Sequence, residues 1–248
     1  MQKTMLITGG SRGIGAETAK LAAQQGYQVA INYLSNQTAA QSVVDAITAA
    51  GGKAQAFQAN VAISEEVDRL FEAVDQAFGP LDVLVNNAGI LETFAITEAQ
   101  PDKVMATFSA NVFSLYYCCR EAVKRMSTDL GGRGGAIINM SSIAARLGSM
   151  PGGNAYSTSK AAVDGFNLAL AHELGPQGIR VNAIRPGIIA TDIQLARGGL
   201  EKAAEIAKAT APMRRMGQPD EVAQAVIWLA SDQASYVHGA VIDVGGGR

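Results

Sequence analysis

Met5-Leu6-Ile7-Thr8-Gly9-Gly10-Ser11-Arg12-Gly13-Ile14-Gly15 is the stretch that decides the fold. A short apolar run enters a glycine-rich turn, and residues 13–25 then read as a helix with alanines and a leucine on one side. In such a strand–turn–helix unit Gly9 permits the tight turn, Gly13 lets the backbone approach a pyrophosphate, and Gly15 lets the helix pack closely on the strand. The first helical turn offers free N–H groups and a positive partial charge to phosphates. Ser11, Arg12 and Ile14 fill the turn between the glycines and are expected in the same cradle. A glycine turn also serves merely to join a strand to a helix, so its meaning rests on its surroundings.

Outward from that unit, short apolar runs alternate with longer amphipathic ones. Strands are expected at 27–32, 54–58, 83–85, 136–139, 179–184 and 240–244. Helices are expected at 38–50, from Ser64 onward, and over about 101–126, 156–174 and 221–230. Gly51-Gly52 stops the second helix. Ser64 is expected to open the third as a capping box, with Glu65 and Glu66 suiting the helix dipole. The strands read as continuous apolar runs, the pattern of strands buried on both faces. Their alternation with helices implies a parallel sheet covered on both sides. The fold class is therefore α/β, a doubly wound parallel sheet of the Rossmann type, in a single domain over residues 1–248 with no interior linker or repeat. The least regular segment, 191–216, mixes helix formers with Gly198-Gly199 and Pro212 and reads as a mobile lid over the sheet.

Composition excludes several classes. The formal charge of -2 argues against a nucleic-acid partner, which would want a basic face. No apolar stretch approaches the roughly 20 residues that span a membrane, and the N-terminus has no signal-peptide pattern, so the expected location is cytoplasmic. Cys118 and Cys119 are adjacent, lack metal-ligand spacing, and read as reduced thiols on a helix. His172-Glu173 opens like a zinc motif, but no His follows at the required spacing, so no metal site is expected. His238 is expected to be structural.

Tyr156 and Lys160 are four residues apart and share one face of a helix. A tyrosine with a pKa near ~10 exchanges protons poorly at neutral pH. A neighbouring ammonium favours phenolate and is expected to lower that value towards the range of a general acid/base.

The spacing TGxxxGxG, as it stands at Thr8 to Gly15, resembles the short-chain dehydrogenase/reductase family. The resemblance covers the whole chain, because further motifs follow in the family's order. Asn86-Asn87-Ala88-Gly89 follows the fourth strand, Asn111 lies in the long helix, and Ser141-Ser142 follows the fifth strand. Tyr156 and Lys160 form YxxxK, and Arg185-Pro186-Gly187 follows the sixth strand.

What the resemblance implies is an NAD(P)-dependent oxidoreductase that interconverts a carbonyl and a secondary alcohol. Ser142, favoured by register over Ser141, would hold the substrate oxygen beside Tyr156, the acid/base. Lys160 would bond the nicotinamide ribose, and Asn111 would help hold a water linking the lysine to solvent. Asn87, Ala88 and Gly89 would pass the adenosine ribose. Ile189 and Thr191, after Pro186-Gly187, would meet the carboxamide end. Asn60-Val61 stands where relatives usually have Asp holding the adenine amino group, and Asn60 can still accept through its carbonyl oxygen. No Asp or Glu occurs between Val29 and Val44, so the acid that would repel a 2′-phosphate is missing. Arg12 is placed to reach that phosphate, with neutral bonds from Asn32, Ser35 and Asn36. NADP is therefore the expected cofactor, with NAD possible because Leu34 stands where many relatives carry a second basic residue.

Met150, Leu91, Phe94 and Ile193 flank the catalytic positions and serve either an apolar substrate pocket or core packing. The resemblance implies a small carbonyl or alcohol compound as substrate. Sugar or polyol dehydrogenases and 3-ketoacyl thioester reductases both remain open, although His172, where carrier-dependent relatives often have a basic residue, mildly disfavours the latter. A dinucleotide sensor without turnover is the rival outside enzymes. The resemblance also implies a homotetramer, for which the apolar run 112–119 suits an interface or a core equally.

Overall fold

A computed structural model describes residues 2–248. Seven strands form one parallel sheet: β1 (Thr4–Ile7), β2 (Gln28–Tyr33), β3 (Lys53–Gln58), β4 (Val83–Asn86), β5 (Gly135–Met140), β6 (Ile179–Pro186) and β7 (Val241–Val244). Their spatial order is β3-β2-β1-β4-β5-β6-β7, so the winding reverses between β1 and β4. Among the helices are α1 (Gly13–Gln24), α2 (Gln37–Ala49), α3 (Ser64–Phe78), α4 (Pro101–Phe108), α5 (Ser114–Met126), α6 (Ala144–Leu147), α7 (Asn154–Leu174), α8 (Gly199–Thr210) and α9 (Pro219–Ala230).

The two-residue period of a strand sends neighbours to opposite faces, and both faces are covered. Met5, Ile7, Val29 and Ile31 pack with alanines of α1, Val43 and Ile47 of α2, and Val222 and Val226 of α9. Leu6, Ala30, Leu84 and Ile137 face the other way, onto Leu70 and Phe71 of α3, Cys118 and Met126 of α5, and Leu174 of α7. The expected two-sided burial holds for the inner strands. The edge strand β3 differs, because it has one neighbour and of its six residues only Phe57 is buried.

Three local expectations need correction. Ser64 is the first helical residue rather than the cap, and the cap position, Ile63, contributes no side-chain bond. The Ser64 hydroxyl instead accepts from Arg120 Nη1 at 3.2 Å. The long helix expected over 101–126 is interrupted by a π turn at Ser109–Phe113. The segment 191–216, read as the least regular, contains a 3₁₀ stretch, Asp192–Arg197, and the helix α8. Gly198 and Gly199 adopt φ of 94° and 95° and join the two. Ala203 and Ala207 bury the inner face of α8 against Ile188. The run 112–119 mostly packs inside the chain, with Val112, Leu115, Cys118 and Cys119 buried and Tyr116 half exposed.

Candidate active site

In a sheet whose strands are all parallel, the loops leaving β1, β4, β5 and β6 gather at one edge, and crevices open where the winding reverses. The β1–α1 turn lies at that reversal. Gly13 has φ of 55°, and a Cβ there would meet Thr191 Cγ2 at 3.1 Å. A Cβ on Gly15 would lie 2.5 Å from the Gly9 carbonyl oxygen and 2.6 Å from Asn87 Nδ2. Arg12 occupies the cap position of α1 without a side-chain cap bond, and the first turn carries no acid. The leading N–H groups are thus left to an anion.

The loop after β4 is laced to this turn. Thr8 Oγ1 accepts from the backbone N–H groups of Asn87 and Ala88, each at 3.0 Å. Asn87 Nδ2 donates to the carbonyls of Thr8 and Gly9 at 2.9 and 3.0 Å. The Asn87 side chain is therefore a brace, and only the backbone of Asn87, Ala88 and Gly89 is left to line the crevice.

Asn32 is also a brace. It is buried, its Oδ1 accepts from Gly9 N at 3.3 Å, and its Nδ2 donates to the Ala59 carbonyl at 3.0 Å. The bond expected from its side chain to a ribose phosphate is thereby corrected, because both ends of the amide are spent inside. Asn36 likewise caps α2, accepting from Ala39 N at 2.9 Å. Arg12 remains at the surface, its Nη1 3.3 Å from Asp192 Oδ2. Asn60 Oδ1 accepts from Ala62 N at 3.0 Å and keeps a second lone pair, while the Val61 side chain packs in the core.

The π turn places Asn111. Its Oδ1 accepts from Ile90 N at 2.8 Å, and its Nδ2 donates to the Ile90 carbonyl at 2.9 Å and to Ser159 Oγ at 3.0 Å. The side chain thus ties the widened helix to the β4 loop and to α7. A Cβ on Gly89 would lie 3.0 Å from Asn111 Oδ1 and 3.4 Å from Lys160 Nζ, so this glycine lets the three approach.

Tyr156 and Lys160 share the buried face of α7. The Tyr156 ring packs against Leu91 and Ala144. Lys160 Nζ lies 5.9 Å from the centre of that ring and donates to the Met140 carbonyl at 2.7 Å. Ser142 is buried, accepts from Ala144 N at 3.2 Å, and is the serine that acts on the Tyr156 phenol. Ser141 spends its hydroxyl on the Lys160 carbonyl at 3.1 Å, so Ser142 is the serine at the tyrosine.

The expected fall in the Tyr156 pKa is not found. Burial pushes the phenol above its ordinary value, and the Ser142 bond and the Arg197 charge pull it only part of the way back. Burial also lowers Lys160 to about 8, with Asp164 pulling the other way. Lys160 therefore loses its proton before the phenol ionises, and no longer carries the charge that would help it.

That lowered pKa has a consequence for stability. The folded chain binds the Lys160 proton less tightly than the unfolded chain, whose lysine titrates near ~10.4. The unfolded state then holds the extra proton between about pH 8 and ~10, and stability rises across that window. Lys160→Met is expected to stabilise the cofactor-free protein at pH 7 by about 1–2 kcal/mol, raising its midpoint of thermal unfolding, once loss of the Met140 bond is set against the relieved burial. The gain should shrink by pH 10. Calorimetry at both pH values checks it, and an equal gain at both would exclude the buried ammonium as its cause.

Beyond this cluster, the loop after β6 carries Pro186, Gly187, Ile189 and Thr191. Gly187 N donates to the Val244 carbonyl at 2.9 Å, and the Pro186 carbonyl accepts from Ile143 N at 3.0 Å, which fixes the loop beside β5. The Ile189 carbonyl accepts from Gln194 Nε2 at 2.7 Å, leaving Gln194 Oε1 buried without a partner. Leu91 and Phe94 are buried, whereas Ile193 is exposed.

The structural roles of several residues were missed. Thr8, the first residue of the glycine motif, braces two loops. Asn86, Asn139 and Asn167 form a buried amide chain, with steps of 2.9 and 3.2 Å, that ends on the Ala240 carbonyl. For Asn139 and Asn167 the only signal was polarity inside an apolar strand and a helix. Of the two histidines, His238 accepts from Val181 N at 3.0 Å and is structural, and His172 is exposed. A cavity of about 820 Å³ lies at the opposite end of the strands, and its charges pair with one another as Lys3–Asp232 and Arg133–Asp82. Among the described residues no helix is long and apolar enough to cross a membrane.

Comparison with known proteins accords with this geometry. A family model described as Enoyl-(Acyl carrier protein) reductase matches residues 9–248. The uncharacterized oxidoreductase YgfF of Escherichia coli (strain K12) is 50% identical over 244 residues, covering 98% of each chain. The 3-oxoacyl-acyl-carrier-protein reductase FabG of Staphylococcus aureus is 39% identical over 247 residues, covering 100% of this chain and 98% of its own. A crystal structure of a short chain dehydrogenase from Burkholderia cenocepacia in complex with NADP superposes with a TM-score of 0.91 at 35% identity, over 99% of this chain and 97% of that one. In sequence, in fold and in the order of its motifs, the chain belongs to the short-chain dehydrogenase/reductase family of oxidoreductases.

Proposed function

We propose that this chain is an NADP(H)-preferring enzyme that interconverts a carbonyl and a secondary alcohol, with Tyr156 as acid/base. The observation that carries the reading is a buried Tyr156 with the buried Ser142 beside it, one helical turn from Lys160 at the edge where the glycine turn opens. The dinucleotide fits the chain. Gly13 and Gly15 leave backbone exposed at a helix N-terminus that lacks a cap, and Gln194 Oε1 is an orphaned acceptor beside Ile189 and Thr191.

When bound, a nicotinamide dinucleotide supplies the hydride chemistry. The chain's own residues do the rest. Ser142 and Tyr156 hold the substrate oxygen, and Tyr156 gives it a proton in reduction or takes one in oxidation. The raised phenol pKa keeps the donor form present through neutral pH. Lys160 holds the next proton site, and Asn111 ties its widened helix to the β4 loop and to α7.

Arg12 would meet the 2′-phosphate by leaving Asp192, and Ser35 is the remaining neutral donor at that end. The expected result is a higher kcat/KM with NADPH than with NADH, reduced about 10-fold in ratio by Arg12→Ala. A wild-type preference for NADH would remove the NADP assignment. Ketoacyl thioesters and oxidised sugars are both candidate substrates, and rates on each decide between them. One domain would carry both cradle and catalytic groups, in a cytoplasmic homotetramer. Exposed Tyr116 on α5 and Leu168 on α7 support that assembly, and light scattering should give the mass of four chains.

A further inference from the structure

Four buried side-chain polar atoms lack a hydrogen-bond partner among the described residues, and three of them lie on the segments that follow β5 and β6. Ser149 Oγ is on the loop between α6 and α7, whose flanks carry Ser142 and Tyr156. Gln194 Oε1 and Arg197 Nε are on the 3₁₀ segment that follows Thr191. Buried polar atoms in folded chains are nearly always bonded, so a group of orphans around one crevice marks a place where a ligand's polar atoms belong.

Arg197 is the charged one. Four other arginines around this edge have carboxylates: Arg12 has Asp192, Arg146 has Asp243, Arg185 has Asp164, and Arg215 has Glu221. Arg197 has no ion pair among the described residues. Its guanidinium and the Tyr156 hydroxyl lie close enough that each perturbs the other, and the charge of Arg248 lies nearby. Burial without a counter-ion disfavours a guanidinium, as its lowered pKa records. A positive group held in this state beside the proton donor becomes favourable once an anion arrives. The phosphate cradle is at the β1–α1 turn, where Arg12 and the helix N-terminus stand, so the anion at Tyr156 is a different one.

Resting on the carbonyl-reductase reading above, we infer that Arg197 receives an oxyanion on the substrate, so that the preferred substrates are carbonyl compounds bearing a carboxylate or a phosphate close to the reacting carbon. A guanidinium binds either group with two parallel N–H donors, and Nε is one of the pair that such a fork uses. Neutral ketones lack the partner and leave the partly buried charge unpaired.

The test uses matched pairs with NADPH: 3-oxobutanoate against its methyl ester, and dihydroxyacetone phosphate against dihydroxyacetone. The charged member of one pair should exceed its neutral counterpart in kcat/KM by about 100-fold, and which pair shows this separates carboxylate from phosphate. Arg197→Met should bring that ratio close to one, and Arg197→Lys should restore part of it. The dissociation constant of NADPH should stay within about twofold in both variants. A ratio near one in the wild type, or one unchanged in Arg197→Met, would overturn the inference. So would a large rise in the NADPH dissociation constant with the ratio kept, which would make Arg197 a cofactor ligand. A second arm does not depend on turnover: calorimetric titration of the NADPH-loaded protein with oxamate and with inorganic phosphate. Binding of one that is lost in Arg197→Met supports the anion site even where no carbonyl is reduced, in which case only the enzyme reading fails. Binding of neither, or binding unchanged in the variant, rejects the site.

Discussion

Tyr156→Phe is expected to lower kcat by about 10³-fold or more while leaving the dissociation constant of NADPH within about twofold. The substitution removes one oxygen. The ring still packs on Leu91 and Ala144, so the fold should keep its midpoint of unfolding to within a few degrees. On the proposed mechanism what is lost is the group that exchanges the proton with the substrate oxygen, and Ser142 cannot replace it, because an aliphatic hydroxyl is far too weak an acid to give up its proton at neutral pH. The pH profile of the wild type carries the same signature. The raised phenol stays protonated through neutral pH, so reduction should be level there and fall only above the ordinary tyrosine range. Oxidation, which needs the phenolate, should rise with pH over the same interval. A profile in which reduction falls as soon as pH 7 is passed would mean that another group, or a much lower phenol pKa, governs the step.

Gly15→Ala should be the most damaging small change outside the catalytic set. Within a helix alanine is ordinarily the better residue, by about 1 kcal/mol. Here the added carbon would meet the Gly9 carbonyl oxygen at 2.5 Å, Asn87 Nδ2 at 2.6 Å and Gly10 Cα at 2.9 Å. Two of these contacts are backbone atoms that cannot turn away. The Asn87 amide can move only by giving up its bonds to Thr8 and Gly9, each contributing about 1 kcal/mol. We expect a net loss of about 2–4 kcal/mol in stability and at least about 100-fold in NADPH affinity, because the displaced loop is the one that shapes the cradle. Thermal unfolding and fluorescence titration of NADPH measure the two effects. An unchanged midpoint together with unchanged affinity would show that the turn relaxes freely.

The elements that repeat a simple period were readable in advance. Met5 to Ile7 could be placed in a two-sided sheet because consecutive apolar residues have no other economical use, and Tyr156 and Lys160 because four positions make one helical turn. The features that escaped arise where tertiary bonds override local preference. The π turn follows from the ties between Asn111, Ile90 and Ser159, partners distant in sequence. Ser64 looked like a cap and is instead taken by Arg120 from α5. Asn32 looked like a surface donor at a strand end, yet its amide is consumed by Gly9 and Ala59. Two glycines hid α8 because a positive φ can start a helix as well as end one. The phenol pKa was misjudged because four-residue spacing conveys proximity to a lysine but not the burial that neutralises it. Arg197 had no motif, and only the lack of a partner in three dimensions distinguishes it.

The central claim is that the crevice at the β1/β4 reversal is a nicotinamide-dependent carbonyl site. Its most direct test is the initial rate of NADPH consumption by the wild-type protein across a panel of ketones, oxo acids, ketoacyl thioesters and oxidised sugars. The account predicts saturable turnover of at least one class. Tight NADPH binding with no turnover of any member would contradict it and leave a protein that senses the dinucleotide.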